Sequence, residues 1–397
     1  MSQNPSDTNF PTSQLPNFPA PHSNRLEGLD SIRGLACVAV LLGHTAGIAN
    51  WDISYTRWPL INNIFDGRSA VTIFFVLSGF VLSLKHVGKS EKPVTLIPFY
   101  TRRLCRIWIP WFGFFLLSLA AKRYFFDLPD LEDVGISLTP EFQTIWSLDS
   151  SWIEYLRQTT YSLHDSRKLL LPQDWSLGVE LRASLIIPFI ILASRKSNFF
   201  VIILAVLALV IKPTTGCYYT SFCLGVLAAN IHSAIPLSFA ERSNLHFVLF
   251  LSGLLLYQIR WAAATPWVGF WELGETTIWI ASSLGCTLMI FIAAHSKYIK
   301  KILMTKSLIF LGKISFSLYL SQVIVILTLG PWSIYLLAKC GIFSQIMIQL
   351  MTITIVAVIS VFFAWLGEKK FEQPSIHLGR LSSRILEKIE FVRKIRV

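Results

Sequence analysis

Arg33 and His44 stand eleven positions apart in LDSIRGLACVAVLLGHT, with no other charge between them. Eleven residues at about 100° each come within roughly 20° of three full turns, so both side chains project from one helix face. They are stacked about 16 Å apart along it. A guanidinium grips anions and an imidazole takes a proton near neutral pH, so the pair points to chemistry spread over two depths of one helix. Arg103 and Arg106 in FYTRRLCRIWIPW are three apart and share a face, where two planar forks can clamp phosphate oxygens; positive charges that merely fix topology are the competing explanation. Glu180, in QDWSLGVELRASLIIPF, has Arg182 two positions later, the wrong spacing for a helical pair. Glu180 therefore seeks a partner on another helix, where it can orient an imidazole, hold a hydroxyl or form a structural ion pair. Trp175, in the same segment, suits either an interfacial aromatic belt or a stacking surface for a sugar ring.

The elements that must carry these residues are membrane spans. The chain has 397 residues, 53% hydrophobic and only 15% charged, and a mean hydropathy of +0.55, more apolar than a soluble core requires. The sequence predicts an all-α polytopic membrane protein. Apolar runs near the ~20 residues that cross a bilayer fall at 34–50, 70–86, 107–121, 175–193, 198–211, 216–231, 245–261, 274–294, 308–329 and 345–366. Ten spans is the expected number. The short run 198–211 and a re-entrant reading of PWSIYLLA at 331–338 leave nine or eleven open. Lys85, Lys89, Lys92, Arg102, Arg103 and Arg106 in one loop, Lys297, Lys300, Lys301 and Lys306 in another, and eight basic residues after 367 fall on one side if the count is ten. The positive-inside rule then places both termini in the cytoplasm. The segment 122–174 mixes acids, among them Asp127, Glu154, Asp165 and Asp174, with fewer basic residues, as an external loop does.

The net charge of +12 is accounted for by topology and by contact with anionic headgroups, so it does not require nucleic acid. Residues 1–24, rich in Pro, Asn, Ser and Thr, are expected to form a disordered cytoplasmic tail, 25–374 the transmembrane domain, and 375–397 a basic amphipathic tail on the membrane surface. Leu378, Leu381, Ile385, Ile389 and Val392 recur at helical intervals in that tail. Six scattered Cys with no CxxC give no support to a disulfide framework or a zinc site, so no metal is expected. Glu368 and Glu372, among Lys369, Lys370 and Arg380, read as mixed surface charge.

Taken in order, LDSIRGLACVAVLLGHT, FFVLSGFVLSL, FYTRRLCRIWIPW, DWSLGVE, LGKISFSLYL and EKKFEQPSIHLG make the chain resemble membrane-bound acyltransferase family 3, from about residue 26 to 380. The family's Arg-x10-His element is Arg33 and His44, its RxxR element Arg103 and Arg106, its SGF element Ser78, Gly79 and Phe80, and its WSLxVE element ends in Glu180. The resemblance implies an enzyme of the cytoplasmic membrane of bacteria that moves an acyl group, often acetyl, from cytoplasmic acyl-CoA to a hydroxyl of an extracytoplasmic carbohydrate. Acyl-CoA would be a co-substrate, with no permanently bound cofactor. In that reading the three arginines hold the phosphates of CoA, His44 serves as general base or transient acyl carrier, and Glu180 orients the imidazole or the acceptor. Ser78, Gly79 and Trp175 would shape the site, Gly79 by allowing close approach.

Two departures stand beside the resemblance. Members often read WSLxVEEQ where this chain has Leu181 and Arg182, and many carry a His after SLYL where this chain has Ser321 and Gln322. The rival class is a transporter or exporter of glycans or small anions, which commonly breaks helices near the midplane; Pro188 is the one break the sequence suggests. Acceptor identity, acyl length and oligomeric state have no signature in the residues.

Overall fold

A computed structural model of the chain describes residues 23–51, 66–87, 94–161, 167–235, 242–259 and 274–395. The expected tail, all but its last two residues, and Lys89, Lys92 and Asp165 lie outside the described residues. The described chain is all-helical, 84% helix with no strands. Its elements are α1 (Ser23–Ala46), α2 (Gly67–Ser83), α3 (Leu96–Tyr124), α4 (Pro140–Thr144), α5 (Trp152–Thr159), α6 (Trp175–Lys196), α7 (Asn198–Ile211) and α8 (Pro213–Ala234). After these come α9 (Ser243–Tyr257), α10 (Glu275–His295), α11 (Lys297–Leu303), α12 (Lys306–Lys339), α13 (Gln345–Gly367) and α14 (Gln373–Ile395).

Each of the ten apolar runs coincides with one of these helices. Among the described residues six helical stretches are long and apolar enough to cross a membrane, while α2, α7 and α9 are shorter apolar helices. The bilayer explains the surface: Phe199, Ile202 and Leu207 of α7 and Ile346, Leu350, Val358 and Phe362 of α13 are exposed, which water would penalise and lipid does not. The chain is a multi-pass membrane protein. Helix α12 runs unbroken for 34 residues through Pro331, so PWSIYLLA continues a helix and is not a re-entrant piece. Pro188 sits inside α6 and Pro110 inside α3, so with Pro331 three of the described helices carry an internal proline.

Close crossings at glycines organise the bundle. Helix α1 meets α12 at Gly34 and Gly312, where a Cβ on Gly34 would lie 2.6 Å from the Gly312 nitrogen and one on Gly312 2.6 Å from the Asp30 carbonyl carbon. Backbones this near exclude any side chain. Cys37 Sγ donates to the Ser315 carbonyl at 3.2 Å across the same crossing, and Ser31 Oγ ties α1 to the end of α11 by donating to the Leu303 carbonyl at 2.7 Å. Helix α2 meets α8 in the same manner: Gly79 faces the Phe222 carbonyl and Gly225 faces that of Val76. These crossings pair α1 with α12 and α2 with α8, and α1 also packs along α2. Helix α14 lies along α3, with Gly379 against Arg102 and Cys105, and Arg102 reaching Ser383 at 3.3 Å and Glu387 at 3.7 Å. Its Leu378, Leu381, Ile385 and Ile389 are exposed in a stripe, the surface an interfacial helix lays on lipid.

The segment between α3 and α6 folds back over the end of the bundle at which α1 finishes. An antiparallel bridge joins Ala49 to Leu138, with Asn50 N donating to Ser137 O at 2.8 Å and Thr139 N to Ile48 O at 2.9 Å. Trp146, Leu170 and Leu171 are buried beneath it. A capping box starts α5, and Lys168 Nζ donates to Glu154 Oε1 at 2.5 Å to tie the segment to itself.

Candidate active site

Two cavities lie end to end along α1. The first, of 210 Å³, is lined by Asp30 and Arg33 of α1, Phe74, Phe75 and Ser78 of α2, Arg103 and Arg106 of α3, and Ser176 and Glu180 of α6. Lys313 and Ser315 of α12, with Glu368, Glu372 and Gln373, complete it. The second, of 720 Å³, is lined by Val40, Gly43 and His44 of α1, Asp66, Gly67 and Arg68 at the start of α2, and Glu141, Phe142 and Ile145 of the folded-back segment. Gln173, Trp175, Tyr218, Glu275, Trp279 and Val323 form its remaining wall. The lining passes from one cavity to the other at Val71 on α2 and at Tyr319 on α12, the two residues that belong to both.

Of the residues singled out by spacing, the structure brings Arg33, Arg103, Arg106, Ser78 and Glu180 into the first cavity and puts His44 and Trp175 in the second. Neither Arg33 nor Arg106 stands at the start of its helix. Helices α1 and α3 begin at Ser23 and Leu96, so Arg33 and Arg106 each lie ten positions, about 15 Å, past the first helical residue. The apolar runs start later than the helices because the first turns are amphipathic.

Glu180 belongs with the arginines. Its Oε1 accepts from Arg103 Nη2 and, at 3.0 Å, from Ser78 Oγ, while Ser184 Oγ accepts from Arg103 Nε at 2.8 Å. The Glu180 carboxylate is thus engaged away from the His44 cavity. Arg33 donates to Asp30 at 2.5 Å and Lys313 lies 3.3 Å from Glu368. Arg106 differs: among the described residues its guanidinium makes no hydrogen bond or ion pair, and it faces the cavity with the Glu372 and Asp30 carboxylates acting on it only at longer range.

Glu368 and Glu372 correct the surface-charge reading. They are only 1% and 6% exposed, because α13 passes into α14 through a π-helical turn, Glu368–Glu372, which winds wider than the 3.6 residues assumed when faces are assigned. The turn carries Glu368 to Lys313 and Gln373, and Glu372 to Ser317 Oγ at 3.2 Å. Spacing in the sequence has no signal for it, although π-turns cluster at functional sites.

Tyr319 was also missed as a site residue, although it lies within the SLYL element. Its hydroxyl donates to Gln173 O at 3.0 Å and pairs with Ser176 Oγ at 2.7 Å, so the ring is held in place between the cavities, edge-on to Phe74. His44 Nδ1 is buried with no hydrogen-bond partner. Arg182 is exposed and Leu181 half-buried, outside both cavity walls, so the departure from WSLxVEEQ does not touch the lining. Ser321 and Gln322 are buried one turn from the junction and line neither cavity. Among the described residues no group of three or more His, Cys, Asp or Glu is placed to hold a metal ion.

This arrangement, cations at one depth and an unpartnered imidazole at the next, can hold an anionic group while a proton is taken about 16 Å further along the helix. A family model of the acyltransferase domain matches residues 26–368. No curated protein and no solved structure gives a match. The matched region contains Arg33, His44, Ser78, Gly79, Arg103, Arg106, Trp175 and Glu180 and ends at Glu368 in the π-turn, so it takes in the second cavity whole and the first except for Glu372, Gln373 and Ile376. The chain belongs to the acyltransferase 3 family and is a membrane acyltransferase.

Proposed function

We propose that the protein moves an acyl group, acetyl in the simplest case, from cytoplasmic acyl-CoA to a hydroxyl of a carbohydrate on the far side of the cytoplasmic membrane. The observation that carries this reading is the junction at Val71 and Tyr319, where an arginine-lined cavity abuts one containing His44. The phosphates of CoA stay with Arg106 and Arg33, because guanidinium forks recognise them and their charge is costly to move further into the bilayer. The uncharged pantetheine arm carries the thioester past Tyr319. At 210 Å³ the first cavity suits that slender arm, with the nucleotide outside.

His44 takes the proton of the acceptor hydroxyl as its oxygen attacks the thioester carbonyl, contributing on the order of 10²–10⁴-fold. The C–O bond forms, the C–S bond breaks, and the CoA thiolate leaves and takes a proton. Glu180 and Ser184 hold the Arg103 fork, so Arg103 shapes the donor cavity while Arg106 is the cation with binding capacity to spare. Two walls, one per substrate, also explain why no single pocket needs room for both.

The test uses the full chain in lipid nanodiscs with acetyl-CoA and a glycan extract, following release of the CoA thiol. Release that depends on the glycan and disappears in His44→Ala is expected. Wild-type-like release by that variant removes His44 from the reaction.

A further inference from the structure

The acceptor cavity contains a carboxylate that the proposed reaction does not use. Asp66 precedes α2 and caps it, Oδ1 accepting from Ser69 N at 3.0 Å, and is 3% exposed. Its other oxygen, Oδ2, is buried with no hydrogen-bond partner, as is Nδ1 of His44 in the same cavity. Polar atoms buried this way are costly unless a ligand supplies what they lack. An acid oxygen and an imidazole nitrogen call for a ligand rich in hydrogen-bond donors.

The facing wall is aromatic. Trp175 and Tyr218 have ring centroids 5.4 Å apart, and Tyr218 and Trp279 5.1 Å apart at 81°, a run of mutually tilted rings that gives the cavity an apolar aromatic lining. Such faces attract the slightly positive C–H groups of a saturated ring. The lining charges are Asp66, Glu141, Glu275 and Arg68, and Arg68 lies 3.9 Å from Glu275. Among the described residues no cation pairs with Asp66 or Glu141. The cavity is therefore hostile to an anion and suited to neutral or cationic groups.

Resting on the transferase reading, we propose that this cavity selects a pyranoside free of negative charge: its apolar face lies on Trp175, Tyr218 and Trp279, one hydroxyl reaches His44, and a neighbouring hydroxyl or ammonium donates to Asp66 Oδ2. Asp66 is then a specificity-determining residue. A uronic acid or phosphorylated sugar would place its charge beside Asp66 and Glu141.

Saturation-transfer NMR on the full chain in nanodiscs tests this with methyl glucoside, methyl glucosaminide and methyl glucuronide. Binding of the first two is expected, with the glucuronide weaker by at least roughly tenfold. Asp66→Asn keeps an oxygen for the α2 cap and should narrow the gap between the amine and the uronate, with Glu141 still in place; Trp279→Ala should weaken all three. Glucuronide bound as well as glucoside overturns the proposal, as does an unchanged gap in Asp66→Asn or no binding by any sugar to protein that melts normally. Should Asp66→Asn fail to fold, the three sugars on wild type and Trp279→Ala still decide. Thiol release separates the two ideas: sugars bound in the expected order without any release retain the selectivity and sink the transferase reading, while equal release with uronate and neutral acceptors does the reverse.

Discussion

Arg103 and Arg106 lie one turn apart on α3, yet the structure gives them different work, and replacing each with Gln should separate the two roles. Arg106 has no hydrogen bond or ion pair to lose among the described residues. Arg106→Gln should therefore leave the fold almost unaltered while removing a charge-assisted bond to a phosphate, about 1.5–3 kcal/mol or roughly 10- to 150-fold in dissociation constant. Arg103 is bound to Glu180 and Ser184. Arg103→Gln strands the Glu180 carboxylate with Ser78 as its remaining partner, and breaking a buried pair in this way costs about 3–5 kcal/mol of stability. Its direct effect on ligand affinity should be the smaller one. Titrating both variants in detergent with a non-hydrolysable CoA thioether, alongside thermal melts, gives the two quantities. A destabilised Arg106→Gln that binds normally, together with a stable Arg103→Gln that does not, would reverse the assignment and refute the reasoning.

Val71→Phe adds bulk at the junction of the cavities, so the maximal transfer rate should fall at least roughly tenfold with donor affinity retained; an unchanged rate would mean the acyl group does not pass there. Gly225→Val drives a side chain into the Val76 carbonyl and to within 2.7 Å of the Phe80 nitrogen, so the α2–α8 crossing should open at a cost of about 1–3 kcal/mol, read as a lower melting temperature. In the folded-back segment, the bond from Lys168 and those from the Ser151 amide and hydroxyl hold the Glu154 carboxyl down to about 2. A lowered folded value stabilises above the ordinary carboxylate range near 4.3 and is lost as pH falls through about 2, so amide protection over Trp152–Thr159, corrected for intrinsic exchange, should decline across that window in wild type and not in Glu154→Gln.

What could be seen in the sequence and what could not divides along physical lines. Apolar runs of near-bilayer length locate the helices, because every backbone group in lipid must bond within its own segment. Arg33 and His44 share a face for the same reason of periodicity, and α1 is continuous between them. Helix starts are harder. The apolar runs begin at 34 and 107, whereas α1 and α3 begin at Ser23 and Leu96, ten positions before Arg33 and Arg106. Glu180 looks like a residue of the acceptor side, five positions past Trp175 at the start of α6, yet it reaches Arg103, because the partner of a charge depends on which helices pack together and not on its own segment. Glu368 and Glu372 were hidden by the π-turn, and Asp66 by its position before a helix start, where a capping role conceals the second oxygen.

The central claim is that this chain builds an ester on a carbohydrate and needs His44 to do it. The most direct measurement is mass spectrometry of surface glycans from cells lacking the gene, carrying the wild-type gene, and carrying His44→Ala at equal membrane abundance. An acyl ester present with wild type and missing from both other samples is the predicted result, and its mass identifies the acyl group. Glycans of identical ester content in all three would contradict the account.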